Sequence, residues 1–148
     1  MIAVSKTNTG LVRTANEDAL LTDGPELFAI ADGMGGYAGG EIASVETIKV
    51  LKEEKKNFAG LTGEALCTAL KEAASKANSH LRSLVCKMPD YEGMGTTLVA
   101  VYLAEDKKAY ALNIGDSRLY LWRNGLLKQI TQDHSYVAEL LSLSLIHI

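Results

Sequence analysis

The chain has 148 residues, which is enough for one domain with its own hydrophobic core. Hydrophobic residues make up 47% and charged residues 22%, the balance of an ordinary soluble globular protein. A net charge of −3, with no basic cluster and no long apolar run, argues against nucleic acid as a partner and against a membrane span.

The N-terminus and the cysteines bear on the compartment. The first ten residues, MIAVSKTNTG, lack the charged start and apolar stretch of a signal peptide. Cys67 and Cys86 have no metal-ligand spacing, and in a chain without an export signal we expect them to be reduced, buried thiols. The sequence therefore predicts a cytoplasmic protein.

The first part of the chain predicts a β-hairpin. Residues 2–5 indicate a short strand, followed by a polar loop. Residues 19–22 and 27–32 are apolar runs, and the sequence DGPE between them is a strong turn signal. Two strands joined by so short a turn should pair with each other.

Two amphipathic helices are predicted next. Residues 41–55 carry apolar side chains at helical spacing. Thr62 is a typical N-cap for a second helix that runs to about Val85. One face of this helix should be buried, formed by Leu66, Leu70, Ala73, Ala77, Leu81 and Leu84.

The second half of the chain predicts antiparallel strands. Short polar segments separate them, and Asn124-Gly125 is typical of a tight hairpin turn. Such short connections leave no room for crossover helices. The predicted fold class is therefore α+β, with a hairpin, two helices and then a meander of four strands over residues 96–103, 109–114, 118–123 and 126–130.

The predicted hairpin places acidic residues opposite each other. With the turn at residues 23–26, the numbers of paired residues sum to 49 or 50, so Asp32 faces Asp18 in one register and Glu17 in the other. Directly opposite Cβ atoms lie about 5 Å apart, and like charges there repel. A hard cation such as Mg²⁺ or Mn²⁺ would relieve that repulsion. The alternative, in which Asp32 and Gly33 merely end a strand, stays open.

Neighbouring residues extend this candidate site. Gly33 could offer its carbonyl oxygen to an ion, and four glycines between residues 35 and 40 allow a tight path into the next helix. Arg13 precedes the hairpin and could bind phosphate oxygens or be simply solvated. Asp116 either adds an acidic corner or serves only as a turn residue.

Five short motifs carry a family likeness. They are RTANED at residues 13–18, ADGMGG at 31–36, GTT at 95–97, GDSR at 115–118 and TQDHS at 131–135. In this order they resemble the metal-dependent PP2C-type protein phosphatases, most of all the compact bacterial members that reverse Ser/Thr kinases. The likeness covers residues 5 to about 140.

The resemblance implies a fold and an activity. The fold would be an α/β/β/α sandwich of two stacked antiparallel sheets flanked by helices, with two Mg²⁺ or Mn²⁺ ions in a cleft at one end. The activity would be hydrolysis of phosphoserine and phosphothreonine in proteins by a water that the ions activate. Phosphorylated proteins would be the substrates, and a Ser/Thr kinase would be the partner.

The resemblance also implies roles for individual residues. Asp18 and Asp32 would be metal ligands, and Gly33 would bind through its carbonyl oxygen. Glu17 would hold metal-bound water, and Arg13 would bind the phosphate. Asp116 would serve a third, weaker metal site.

Two departures from the family pattern concern the proton donor and the metal ligands. Met34 stands where some relatives have a histidine that protonates the leaving group, so water or another group must do so. His134 belongs to a motif read as structural in the family, and His80 lies on a helix, so neither is favoured as a catalyst. After Asp116 the only aspartate is Asp133, whereas the family completes its metal site with two further aspartates.

The end of the chain departs from the family as well. Residues 141–148, LSLSLIHI, leave the pattern abruptly where relatives continue a helix predicted to begin at residue 135. We therefore expect residues 1–140 to be the N-terminal part of a phosphatase domain whose C-terminal part is missing, and residues 141–148 to reflect a truncation or a change of reading frame. The chain alone should have weak activity or none.

Two other functions remain as alternatives. The missing aspartates would suit a non-catalytic regulatory domain that keeps the fold. Gly33 and Gly35, with Ala38, also match a dinucleotide-binding pattern after a strand and before a helix. That second alternative requires a parallel sheet, which the predicted hairpins disfavour.

Overall fold

A computed structural model describes residues 2–36 and 39–134 of the chain. Within these ranges it contains two antiparallel sheets, two long helices and single 3₁₀ turns after each helix. The strands and helices are β1 (Asp18–Asp23), β2 (Leu27–Met34), α1 (Gly39–Glu54), α2 (Gly63–Lys87), β3 (Gly95–Thr96), β4 (Leu98–Leu103), β5 (Ala109–Ile114), β6 (Tyr120–Arg123) and β7 (Leu126–Gln129). The predicted α+β class, with two antiparallel sheets, is confirmed.

The first hairpin forms as predicted. β1 and β2 pair antiparallel from Asp23 opposite Leu27 to Asp18 opposite Asp32. Lys55, which directly follows α1, forms ion pairs with the turn. Its Nζ lies 3.2 Å from an oxygen of the Asp23 carboxylate and 3.3 Å from one of Glu26. The same ammonium donates a hydrogen bond of 3.0 Å to the Asp23 carbonyl oxygen.

The main sheet has the strand order β1-β2-β4-β5, and β3 pairs with the end of β2. Each of these pairs is antiparallel. The two helices lie between β2 and β3, yet the chain returns antiparallel to β2 and forms no parallel βαβ unit within the described ranges. The dinucleotide-binding alternative is therefore wrong, because its glycine pattern works only in that parallel unit.

Both helices pack on one face of the main sheet. Of the predicted stripe on α2, only Leu84 is not fully buried. Phe58 follows α1 and meets the ring of Tyr102 edge-on, with centroids 5.5 Å apart. The largest fully buried side chains of this core are Leu27, Leu51, Phe58, Leu66 and Leu70.

The start of α2 differs in detail from the prediction. Thr62 is the N-cap residue, but its side chain makes no capping hydrogen bond. The N–H of Gly63 instead donates to the hydroxyl of Tyr110 on β5, at 2.7 Å. A tertiary contact thus replaces the local cap.

The candidate site lies on the other face of the sheet. Along β2 the buried residues alternate with more exposed ones, so that Ala29 and Ala31 face the helices while Ile30 and Asp32 face away from them. Directly opposite residues share a face, so Asp18 projects on the same side as Asp32.

The predicted four-stranded meander is wrong in one pairing, because the second and third of its strands, β5 and β6, do not pair with each other. β6 and β7 pair only with each other, in a separate two-stranded sheet. Asn124 and Gly125 join them with φ of 53° and 79°, the left-handed pair that a tight hairpin turn requires. β5 does not pair with β6, because residues 115–119 bond instead to the segment after β7.

Two further predictions are corrected. Residues 2–5 form no strand, and within the described part of the chain their backbone joins no sheet. Cys67 and Cys86 are free thiols but exposed rather than buried, because they fall outside the buried stripe of α2.

No helix in the described ranges is long and apolar enough to cross a membrane. The predictions for residues 135–148 lie outside the described residues.

Candidate metal centre

The centre of the site is the pair Asp18 and Asp32. Of the two registers that the sequence allowed, the structure has the one in which these aspartates face each other at the open end of the hairpin. Glu17 takes the next position, where its carbonyl oxygen accepts a hydrogen bond of 3.0 Å from the N–H of Gly33. The predicted like-charged pair on neighbouring strands is therefore present.

Two residues that the sequence analysis did not single out hold Asp18 in place. Thr7 donates its hydroxyl hydrogen to Oδ2 of Asp18 at 2.9 Å, and Nδ2 of Asn16 donates to that hydroxyl at 2.8 Å. Oδ1 of Asn16 accepts the N–H of Asp18 at 3.1 Å. Asn16 stands inside the RTANED motif, which is the only local signal of this arrangement.

The pKa of Asp32 depends on charges from the other predicted site residues. Partial burial raises the pKa of Asp32, and the negative charges of Asp18, Asp116 and Glu17 raise it further, while the charge of Arg13 lowers it. Each of these four groups is near enough to change the free energy of ionising Asp32. The residues predicted from separate motifs are thus brought together by the fold.

Glu17 and Arg13 form the rim of this environment. Nη1 of Arg13 lies 3.8 Å from Oε2 of Glu17, a loose ion pair in which the arginine side chain is 66% exposed. Such a pair contributes little to stability and leaves most guanidinium donors in solvent. The Glu17 carboxylate points to the first turn of α1, where Oε1 lies 2.7 Å from the position of a Cβ added at Gly40. A helix N-terminus favours negative charge.

The glycines of the ADGMGG motif serve packing. A Cβ at Gly33 would overlap the carbonyl oxygen of Gly40 and lie 2.7 Å from the carbonyl oxygen of Glu17. A Cβ at Gly35, where φ is 143°, would lie 3.0 Å from the Cα of Met94. No atom of the described residues comes within 4 Å of a Cβ added at Gly36. The close neighbours of Gly33 and Gly35 are therefore protein backbone.

Asp116 sits in a turn that the TQDHS motif holds. Arg118 donates to both carboxylate oxygens of Asp133, with Nη2 to Oδ2 at 2.7 Å. The backbone N–H of His134 donates to the carbonyl oxygen of Gly115 at 2.9 Å, and the hydroxyl of Thr131 accepts the N–H of Leu119 at 3.0 Å. The motif therefore fixes both sides of the Asp116 turn.

His80 and His134 have structural partners. His134 contributes its backbone to the Asp116 turn, as described above. Nε2 of His80 lies 2.6 Å from Oε2 of Glu46, joining α2 to α1 away from the acidic pair. These contacts give no support to a catalytic role for either residue.

The facing aspartates are chemically suited to one side of a metal site. The facing aspartates supply oxygen ligands of the kind that Mg²⁺ and Mn²⁺ prefer, and a cation would relieve their mutual repulsion. Within residues 2–36 and 39–134, however, no three acidic, histidine or cysteine side chains lie close enough together to hold an ion by themselves. Asp18 and Asp32 could therefore supply some of the ligands of a divalent ion, and further ligands would be needed.

Comparisons with known proteins agree with the motifs. The family model for protein phosphatase 2C matches residues 5–139. The serine/threonine phosphatase stp of Listeria monocytogenes is 38% identical over 146 residues, which cover 95% of this chain and 58% of the relative. The serine/threonine protein phosphatase PstP of Mycobacterium tuberculosis is 43% identical over 136 residues, 92% of this chain and 26% of that protein.

Solved structures agree on the fold. The crystal structure of the Mycobacterium tuberculosis phosphatase PstP/Ppp superposes with a TM-score of 0.83 at 43% identity, covering 93% of this chain and 56% of that one. The catalytic domain of PstP in complex with two manganese ions superposes with a TM-score of 0.81 at 42% identity, covering 93% and 57%. The chain thus spans little more than half of each solved domain. It belongs to the protein phosphatase 2C family.

Proposed function

We propose that this chain carries the first part of the active site of a metal-dependent protein serine/threonine phosphatase. The observation that supports this most is the pair of facing aspartates, Asp18 and Asp32, with Asp116 close enough to raise the pKa of Asp32. The relatives named phosphatases and the manganese-bound relative support the same function.

Each site residue has a task in this proposal. Asp18 and Asp32 would bind Mg²⁺ or Mn²⁺ with their carboxylates, and Gly33 with its carbonyl oxygen. Asp116 would serve a further, weaker ion beside the two main ones. When bound, a divalent cation supplies water activation and neutralises developing charge. The ions themselves and their number are part of the proposal.

Arg13 would bind the phosphate group of the substrate, and Glu17 would orient water. The guanidinium of Arg13 is largely in solvent, and its loose pairing with Glu17 leaves donors for two phosphate oxygens. Glu17, at the N-terminus of α1, would orient water beside Asp18 and Asp32. Phosphoserine and phosphothreonine in proteins are the proposed substrates, a Ser/Thr kinase the proposed partner, and the cytoplasm the proposed location.

The test is binding of a phosphothreonine peptide, followed by fluorescence anisotropy of a label on the peptide. We expect binding that requires Mn²⁺ and the phosphate, and that Arg13→Ala weakens about tenfold, the effect of a lost charge-assisted contact. Arg123→Ala, on the exposed strand β6, is the matched control and should bind as the unchanged chain does. Equal binding of the unphosphorylated peptide would contradict the proposal.

Turnover is a separate readout. We expect the chain alone to hydrolyse the peptide weakly or not at all, because its described residues bring no three metal-binding side chains together. Robust hydrolysis that EDTA abolishes would contradict that expectation. The same observation favours a second candidate, a non-catalytic domain of the same fold. Phosphopeptide binding that is unchanged by EDTA would support that candidate over an enzyme.

A further inference from the structure

A row of residues crosses the main sheet next to the acidic pair. Asp18 on β1 faces Asp32 on β2, and the N–H of Thr97 donates to the carbonyl oxygen of Asp32 at 2.9 Å. Thr97 stands between β3 and β4, and it contacts Gly115, the residue that follows β5. Thr97 therefore lies between Asp32 and the turn that carries Asp116.

The pairing of Asp32 with Thr97 is irregular. In a regular antiparallel ladder the N–H of Asp32 would donate to the carbonyl oxygen of Thr97. It donates instead to the hydroxyl, Oγ1, at 3.0 Å, and the Thr97 carbonyl oxygen accepts the hydroxyl of Thr96 at 3.0 Å. A side chain thus replaces one bond of the ladder at the residue before Gly33, which also explains why β3 and β4 are separate strands.

The same hydroxyl reaches the Asp116 turn. Oγ1 of Thr97 lies 2.7 Å from Oγ of Ser117, a hydrogen bond in which either atom can be the donor. One oxygen therefore joins the backbone of Asp32 to the residue after Asp116. The three groups come from distant parts of the chain, since Asp32 and Thr97 are 65 positions apart.

The methyl group of Thr97 fixes the other side of the turn. A Cβ added at Gly115, where φ is 96°, would lie 2.8 Å from Cγ2 of Thr97. Only glycine leaves space for this methyl and readily adopts that φ. Both branches of the threonine side chain are therefore used, the hydroxyl for Asp32 and Ser117 and the methyl for Gly115.

We propose that Thr97 is a positioning residue that ties the backbone of Asp32 to the Asp116 turn and so keeps the Asp32 carboxylate in place for a divalent cation. Without the tie, like charges on Asp18, Asp32 and Asp116 would move apart, and ligands that must be gathered on binding lower the affinity. The inference rests on the proposed metal function, and it adds a residue that contacts Asp32 and the neighbour of Asp116 but binds no ion itself.

Three variants separate the parts of this role. Thr97→Val keeps the shape and loses the hydroxyl, whereas Thr97→Ser keeps the hydroxyl. Thr22→Val makes the same chemical change at an exposed position of β1 and serves as the matched control. Circular dichroism checks that each variant folds.

The first readout needs no metal. Hydrogen exchange of the Asp32 amide, followed by NMR in the metal-free chain, should be about tenfold faster in Thr97→Val and unchanged in Thr97→Ser and Thr22→Val. If the Asp32 amide exchanges at the same rate in Thr97→Val as in the unchanged chain, the hydroxyl does not protect this amide. That result would contradict the proposed link between Thr97 and Asp32.

The second readout is the dissociation constant for Mn²⁺, measured by electron paramagnetic resonance. Thr97→Val should bind at least about tenfold more weakly, the usual effect of removing a group that orients a metal ligand, and Thr97→Ser should recover most of the affinity. Unchanged affinity in a folded Thr97→Val variant would overturn the proposal. If Thr97→Val fails to fold, Ser117→Ala removes the second bond, and unchanged affinity there would overturn it too.

The metal function and the positioning role can fail separately. If the unchanged chain binds no Mn²⁺, the proposed metal function is wrong and the positioning role falls with it, while amide exchange still decides whether the tie exists. If the unchanged chain binds Mn²⁺ and Thr97→Val binds it equally well, only the positioning role is wrong.

Discussion

Gly33 lies where β2 contacts the first turn of α1, and the surrounding backbone leaves no room for a side chain at this position. A Cβ there would overlap the carbonyl oxygen of Gly40, lie 2.5 Å from the carbonyl carbon of Gly40 and lie 2.7 Å from the carbonyl oxygen of Glu17. All three atoms are backbone, so no rotamer change can relieve the contact. We therefore predict that Gly33→Ala forces β2 and α1 apart.

The size of the effect follows from that geometry. Overpacking in a well-packed interior costs about 1–3 kcal/mol even where side chains can adjust. Here the backbone itself must move, so we expect a loss of about 3 kcal/mol or more in the free energy of unfolding. For a chain of this length, that corresponds to a fall in Tm of roughly 10 °C.

The assay is urea unfolding followed by far-UV circular dichroism. Gly36→Ala is the matched control, because a Cβ there meets no atom of the described residues within 4 Å, and it should change stability by less than about 0.5 kcal/mol. The midpoint should fall for Gly33→Ala with an unchanged slope, which identifies a loss of stability in the folded state. Equal midpoints for the two variants would refute the packing role of Gly33.

Two further predictions concern charged contacts of the helices. Lys55→Met should lower stability by about 1 kcal/mol in thermal unfolding, because the partly buried ammonium bridges the two carboxylates of the β1–β2 turn. Lys56→Met, one residue along and exposed, should be near neutral, and equal losses would contradict the bridge. The hydrogen bond to His80 lowers the pKa of Glu46, so its stabilisation is present above the ordinary carboxyl pKa and lost as pH falls through the lowered value. Glu46→Gln should remove this acid-dependent part, and identical acid-unfolding curves would contradict it.

Local sequence decides much of this fold. The turn at residues 23–26 limits the hairpin to two registers, and the one that pairs Asp18 with Asp32 is observed. The apolar spacing places both helices within about two residues of their ends. Asn124 and Gly125 predict their own hairpin because the turn needs two left-handed residues in succession. Each of these features depends on neighbours in the chain.

What the sequence does not reveal depends on residues far apart. The motif GTT gave no sign that Thr97 would bond to the Asp32 amide, since nothing local distinguishes this hydroxyl from that of Thr96. The crowding at Gly33 arises from the approach of Gly40, which only the packed helix shows. The separation of β5 from β6 likewise follows from bonds between the Asp116 turn and the segment after β7.

The residues of the candidate site show the same division. Single motifs predict Asp18, Asp32 and Asp116 as acidic residues at strand ends, and the hairpin turn predicts that Asp18 can face Asp32. Only the fold shows that the charge of Asp116, from a distant part of the chain, also raises the pKa of Asp32. Their roles as metal ligands remain predictions.

The most direct test is Mn²⁺ binding to the unchanged chain, followed by electron paramagnetic resonance as the signal of free Mn²⁺ decreases. We predict saturable binding that Asp32→Asn weakens at least about tenfold, since it removes a charged ligand at the centre of the acidic cluster. Asp90→Asn, in the turn after α2, should bind as the unchanged chain does. An absence of binding, or equal binding by Asp32→Asn, would contradict a metal centre at the facing aspartates.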